Sequence, residues 1–172
     1  MKLAPRAVLL LAVLAILATV LGQASEASAQ TTEAIAIPAT AFVLAGNTSY
    51  LQNVAAIEGT GPAVVRAPVQ FTKPGLQVCR LSMWAHDADA DFNVTVRLVR
   101  KRLAVDGTPF GAAPETIASA SSFGAVDALR RFSTFVVTDP VVSSTYFFWV
   151  ELEFVGGAIQ VTGVLIQTAT TC

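Results

Sequence analysis

Three aspartates stand at alternate positions in His86-Asp87-Ala88-Asp89-Ala90-Asp91. This is the spacing at which a calcium loop begins, with hard oxygen ligands gathered around a hard cation. The rest of that pattern is missing: Phe92 stands where such a loop needs glycine, and Leu98 where a bidentate Glu would close the site. Asp87, Asp89 and Asp91 are therefore a calcium candidate beside a plainer reading. In the plainer one they form the solvated tip of a hairpin, whose charges discourage edge-to-edge pairing.

Catalysis has less to work with. A hydrolytic triad needs a base, and His86 is the only imidazole in the chain. There is no Gly-x-Ser-x-Gly elbow and no His/Cys cluster with metal-ligand spacing. Glu151 and Glu153 would lie on one strand face, ~7 Å apart by strand geometry, which is conceivable for glycoside hydrolysis. Carboxylates so placed are more often solvent-facing. The expectation is a protein that is not an enzyme, with no catalytic residue and no cofactor.

The aromatic side chains offer binding rather than turnover. Strand parity puts Trp84 with Arg80 and Ser82, and Trp149 with Phe147, Glu151 and Glu153. Exposed, these rings beside polar groups would resemble a sugar-binding platform, so Trp84, Trp149 and Tyr146 are the candidate ligand-binding residues. Burial against a neighbouring subunit or a covering loop is the competing reading, and on sequence grounds the favoured one. The basic run Arg97, Arg100, Lys101 and Arg102 is split between faces by parity and reads as a solvated strand end. Asn47-Thr48-Ser49 and Asn93-Val94-Thr95 match the glycosylation acceptor and read as chance matches.

The segments that must carry these residues begin after a leader. Lys2 and Arg6 precede an apolar run, Ala7–Leu21, which is shorter than the roughly 20 residues a spanning helix needs. Ala27-Ser28-Ala29 supplies the small residues of a signal-peptidase site, so residues 1–29 are expected to be a signal peptide cleaved before Gln30. No cysteine stands at that site to carry a lipid. The product would be secreted or extracellular, periplasmic where an outer membrane exists, with no stable membrane anchor after cleavage. Cleavage removes Lys2, Arg6 and Glu26 from the chain's 11 Lys and Arg and 12 Asp and Glu, leaving a net charge of about −2. Nothing in that balance attracts nucleic acid.

Cys79 and Cys172 are the only cysteines, and an exported chain meets conditions in which disulfides persist. A bridge between them would close a loop of about 90 residues and add up to about 4–5 kcal/mol. A bridge between two chains is the alternative for so terminal a cysteine.

Period-two alternation is clear in Leu76–His86, where Cys79, Leu81, Met83 and Ala85 share a face, and in Phe92–Lys101. Val64–Phe71, Ile117–Ser121, Leu129–Thr138, Tyr146–Phe154 and Ile159–Gln167 read as further strands, and Thr40–Leu44 and Tyr50–Ile57 as short ones. Pro68 implies an edge or a bulge. Gly46-Asn47, Gly59-Thr60-Gly61-Pro62, Asp106–Pro114 and Asp139-Pro140 read as turns or loops. Asp87–Asp91 and Gly156-Gly157 read as hairpin connections. Residues 30–39 look like a lead-in with a candidate strand at Ala34–Ile37. Residues 40–172 then form one all-β domain, an antiparallel sandwich or jelly roll of about 8–9 strands.

The order of Arg66-Ala67-Pro68-Val69-Gln70-Phe71, Trp84-Ala85-His86-Asp87, Val94–Arg100, Tyr146-Phe147-Phe148-Trp149-Val150 and Gly163-Val164-Leu165-Ile166 resembles small secreted bacterial β-sandwich proteins of unassigned function. The resemblance covers roughly residues 40–168. It implies a secreted β-sandwich and carries over no active site. The sequence thus points to an extracellular structural or interaction module, self-associating or glycan-bound. A carbohydrate-binding module is the alternative, and a calcium-stabilised adhesion domain a further one.

Overall fold

Buried and outward positions alternate through Tyr146–Phe154: Phe148, Val150, Leu152 and Phe154 are buried, while Phe147, Trp149, Glu151 and Glu153 point away from the core. Each buried side chain of this size contributes roughly 1.5–3 kcal/mol on leaving water. The computed structural model describes residues 32–45, 50–52, 55–103, 113–136 and 141–172. The leader, Gly46-Asn47, Asn47-Thr48-Ser49, most of Asp106–Pro114 and Asp139-Pro140 lie outside the described residues.

Eleven strands occur among the described residues: β1 (Thr32–Pro38), β2 (Val43–Leu44), β3 (Tyr50–Gln52), β4 (Ile57–Gly59), β5 (Ala63–Val69), β6 (Gln77–Asp87), β7 (Val94–Arg102), β8 (Glu115–Ser121), β9 (Val126–Phe135), β10 (Tyr146–Phe154) and β11 (Ile159–Ala169). A short 3-10 turn, Ala39–Ala41, follows β1. The strands form two antiparallel sheets. One has five strands in the order β2-β5-β10-β7-β8. The other has six, ordered β3-β4-β11-β6-β9, with β1 also paired to β11. Along one edge of β11, Ile159–Val161 pairs with β4 and Gly163–Ala169 with β1, while β6 takes the other edge. The core lies between the sheets and includes Val65, Leu81, Met83, Leu98, Leu152 and Ile166, none of them exposed. The β-sandwich expected from the alternation is the observed architecture.

Several local expectations change. The candidate strand Ala34–Ile37 in the expected lead-in is there and longer: Thr32–Pro38 is a full strand of the sandwich, in register with β11 from Ala169 to Gly163. Asp87–Asp91 is not a hairpin tip. The strands it joins, β6 and β7, belong to different sheets, and Asp87 is only 2% exposed. Gly156-Gly157 likewise joins β10 to β11 across the sandwich. Gly157 takes a positive φ of 74°, which a corner between sheets needs as much as a hairpin does. Only β3–β4 and β7–β8 are consecutive strands paired in one sheet; the other eight connections cross.

Gly59 is no loop residue either. It ends β4, and a Cβ placed there would lie 2.5–2.8 Å from the Phe154 side chain of the opposite sheet. The missing side chain is what lets that ring fill the core. Parity at Cys79 also shifts. A register irregularity opposite Gln167/Thr168 turns Val78, rather than Cys79, fully inward. Pro68 lies beyond the reach of two-residue β2, where only β10 pairs with β5, a position that tolerates a residue without an N–H.

Cys79 and Cys172 are bonded within the chain, with Cα atoms 5.3 Å apart across 93 positions. The bridge pins the segment after β11 to the start of β6. The Cys172 backbone N–H also donates to Gln77 Oε1 at 3.2 Å.

Candidate functional site

Trp84, Trp149 and Tyr146 do not form one platform: Trp84 belongs to the other sheet, and Tyr146 and Trp149 line two depressions that share Pro68 and Phe147. Tyr146 shares inward parity with Phe148, packs at the core's margin and lies under the Arg100 guanidinium, 4.7 Å from its ring centroid. It lines a depression of about 550 Å³ at one end of the sandwich, with Phe71, Pro74 and Val142. Trp84 lies on the outer face of the six-stranded sheet, in register with Arg131 on one side and Gly163 on the other. Trp149 lies on the outer face of the five-stranded sheet, between Pro68 and Val99.

Around Trp149 a continuous surface forms. Phe147 precedes it by two residues on the same strand face and is 48% exposed. The two rings are stacked, with centroids 5.8 Å apart and planes 30° from parallel. Val43 from β2, Pro68 and Arg66 from β5, and Lys101 from β7 complete a shallow, mainly apolar depression of about 350 Å³. Val99, opposite Trp149, is buried, so the floor of this patch is closed. The Trp149 indole Nε1 is buried and has no hydrogen-bond partner.

Beyond Trp149 the same face turns ionic. Glu151 sits between Arg66 and Arg97 in register and accepts from both, Arg66 Nε at 2.8 Å and Arg97 Nη1 at 3.5 Å. Arg97 Nη2 also reaches Glu153 Oε2 at 2.5 Å. The two glutamates conceivable as a hydrolytic pair are thus engaged by arginines. Charge-assisted pairs of this kind hold side chains in place more than they add stability, exposed ones giving at most about 1 kcal/mol each.

Two of the three aspartates accept from the chain around them. Asp87 Oδ1 accepts from the Asp89 N–H at 3.2 Å, and Asp89 Oδ1 from the N–H groups of Asp91 and Phe92 at 2.9 and 3.3 Å. These bonds shape the corner between sheets. Asp87 Oδ2 is buried without a partner. Among the described residues, no group of three His, Cys, Asp or Glu side chains is arranged to hold a metal ion, and no helix is long and apolar enough to cross a membrane. His86 Nε2 lies 2.7 Å from the exposed Asp127 Oδ1.

Sequence reading brought Trp149, Phe147, Glu151 and Glu153 together by parity alone. Val43, Arg66, Pro68 and Lys101 join them only through sheet order, because they come from strands distant in sequence. Tyr146 could have been separated from Trp149 beforehand: three residues apart on a strand means opposite faces.

No family model matches the chain, nor does any curated protein sequence. Among solved structures, the C-terminal CBM6 of LamC, a marine laminarinase from Zobellia galactanivorans, is similar with a TM-score of 0.52 and 9% identity, covering 78% of this chain and 98% of that one. A xylan-binding module, CBM15, is similar with a TM-score of 0.51 and 13% identity, covering 83% of this chain and 100% of that one. At such identities these likenesses establish the β-sandwich fold.

Proposed function

We propose that the chain is an exported, non-enzymatic β-sandwich that binds carbohydrate through the outer face of its five-stranded sheet. The observation that carries this reading is the stacked Phe147–Trp149 pair, lining one depression with Pro68 and bordered by Arg66 and Lys101. An apolar ring surface suits the C–H faces of a sugar, and neighbouring charges can orient its hydroxyls. Two carbohydrate-binding modules share the fold, which makes the reading natural without carrying it. Export is supported by the basic, apolar and small-residue pattern of residues 1–29 and by the Cys79–Cys172 bridge. This reading is the alternative that the sequence offered, a carbohydrate-binding module, taken in preference to the structural or interaction module it favoured.

The test is isothermal titration of the disulfide-bonded domain against a broad panel of soluble polysaccharides, with intrinsic fluorescence followed in parallel. Binding accompanied by a tryptophan spectral change, with both lost in Trp149→Ala, is the expected result. A flat response across the panel overturns the proposal. Separately, the exported protein should begin at Gln30, as amino-terminal sequencing would show.

A further inference from the structure

The charges on the Trp149 face do not balance locally. Its carboxylates, Glu151 and Glu153, are held by Arg66 and Arg97. The third cation, Lys101, stands directly opposite Phe147 in the β7–β10 register and lines the apolar depression with Phe147 and Trp149. Among the described residues it makes no ion pair, unlike Arg100 next to it, whose Nε is 2.8 Å from Glu115 Oε2. Arg66 borders the same depression with half of its side chain exposed, and bonds Glu151 through Nε. The patch therefore combines a stacked aromatic pair with excess positive charge at its rim, in a chain whose overall charge is negative.

A neutral glycan would offer that ammonium hydroxyl acceptors but no counter-charge. We infer that the glycan is anionic, its sugar rings lying on Phe147 and Trp149 while a carboxylate or sulfate meets the Lys101 ammonium. This rests on the carbohydrate-binding reading and narrows it to a substrate class. Lysine is a compact point charge on a flexible stem and suits either anion, whereas a forked guanidinium would favour two-point contact with one carboxylate. The neighbouring Arg66–Glu151–Arg97–Glu153 array is internally compensated and defines where the patch's positive end stops.

Three probes of matched length decide it: a uronate oligosaccharide, a sulfated oligosaccharide and a neutral one, each titrated onto the disulfide-bonded domain. Tighter binding of either anionic probe supports the inference, and the tighter of the two identifies the anion. Lys101→Gln should weaken that probe about fivefold, the upper range for an exposed ion pair, and weaken the neutral probe by less. Lys101→Arg should restore most of the loss, and raising salt should reproduce the Gln effect. Matching melting curves for the variants exclude a folding cause. Equal affinity for neutral and anionic probes overturns the anionic class but leaves the carbohydrate reading intact. Failure of all three to bind removes both.

Discussion

Each sheet exposes a tryptophan and arginines on its outer face, yet the two faces are organised differently. On the six-stranded sheet the aromatics are dispersed. Trp84 lies beside Arg131 and Gly163, and Phe135, 67% exposed, is covered by the Arg80 guanidinium at 4.2 Å. Ser82 and Ser133 bond to each other between them at 2.9 Å. On the five-stranded sheet the aromatics stack on one another and the arginines are drawn away by Glu151 and Glu153. Cations can therefore either cap an aromatic surface or, held by carboxylates, leave it open. Both places hold aromatics and arginines; the two glutamates of β10, without counterpart on β6 or β9, make the difference.

Changes to either face should act separately. Replacing Cys79 and Cys172 together by serine loosens only the six-stranded side; it should cost about 4 kcal/mol in urea unfolding while leaving glycan affinity intact. If affinity fell in step, the faces would not be independent. Gly59→Ala strikes between the sheets, where the added Cβ meets Phe154, and should destabilise by about 2–3 kcal/mol in the same assay. An unchanged midpoint would mean that Phe154 has room the packing does not show. Trp149→Ala should weaken the glycan roughly 30-fold by titration, against less than twofold for Trp84→Ala. The reverse ranking would move the site to the other sheet. Arg97→Met, which frees Glu153, should shift stability by less than 1 kcal/mol. Smallest of all, a chelator should leave the melting temperature where it was. A drop of several degrees would instead restore Asp87, Asp89 and Asp91 as cation ligands.

Much of this was legible in the residues themselves. The alternation in Val94–Leu98 and Tyr146–Phe154 fixes which side chains enter the core, and half of the candidate site follows from the parity of Phe147, Trp149, Glu151 and Glu153. The connections were harder to read. Asp87–Asp91 and Gly156-Gly157 have the composition of hairpin loops, but a corner between sheets asks the same of the backbone: tolerance of positive φ and side chains that bond nearby N–H groups. Strands as short as Val43–Leu44 have no period to detect. Parity already put Lys101 and Arg100 on opposite faces, but that Arg100 meets Glu115 while Lys101 faces Phe147 appears only once the strands on either side of β7 are set in register.

The position of β11 has a consequence for when this molecule can fold. β1, β4 and β6 all depend on a strand that begins only at Ile159, and just two of the turns close local hairpins. A chain emerging from the ribosome, or fed through a narrow channel in order, can pair β4 with β3 and β6 with β9, but β1 has no partner and these pairs stay unjoined until Ala169 arrives. Completion of the six-stranded sheet is then a late event among distant segments, of the kind that takes milliseconds to seconds rather than microseconds. Until that moment the chain stays slack enough to thread, and its apolar strands need protection from one another.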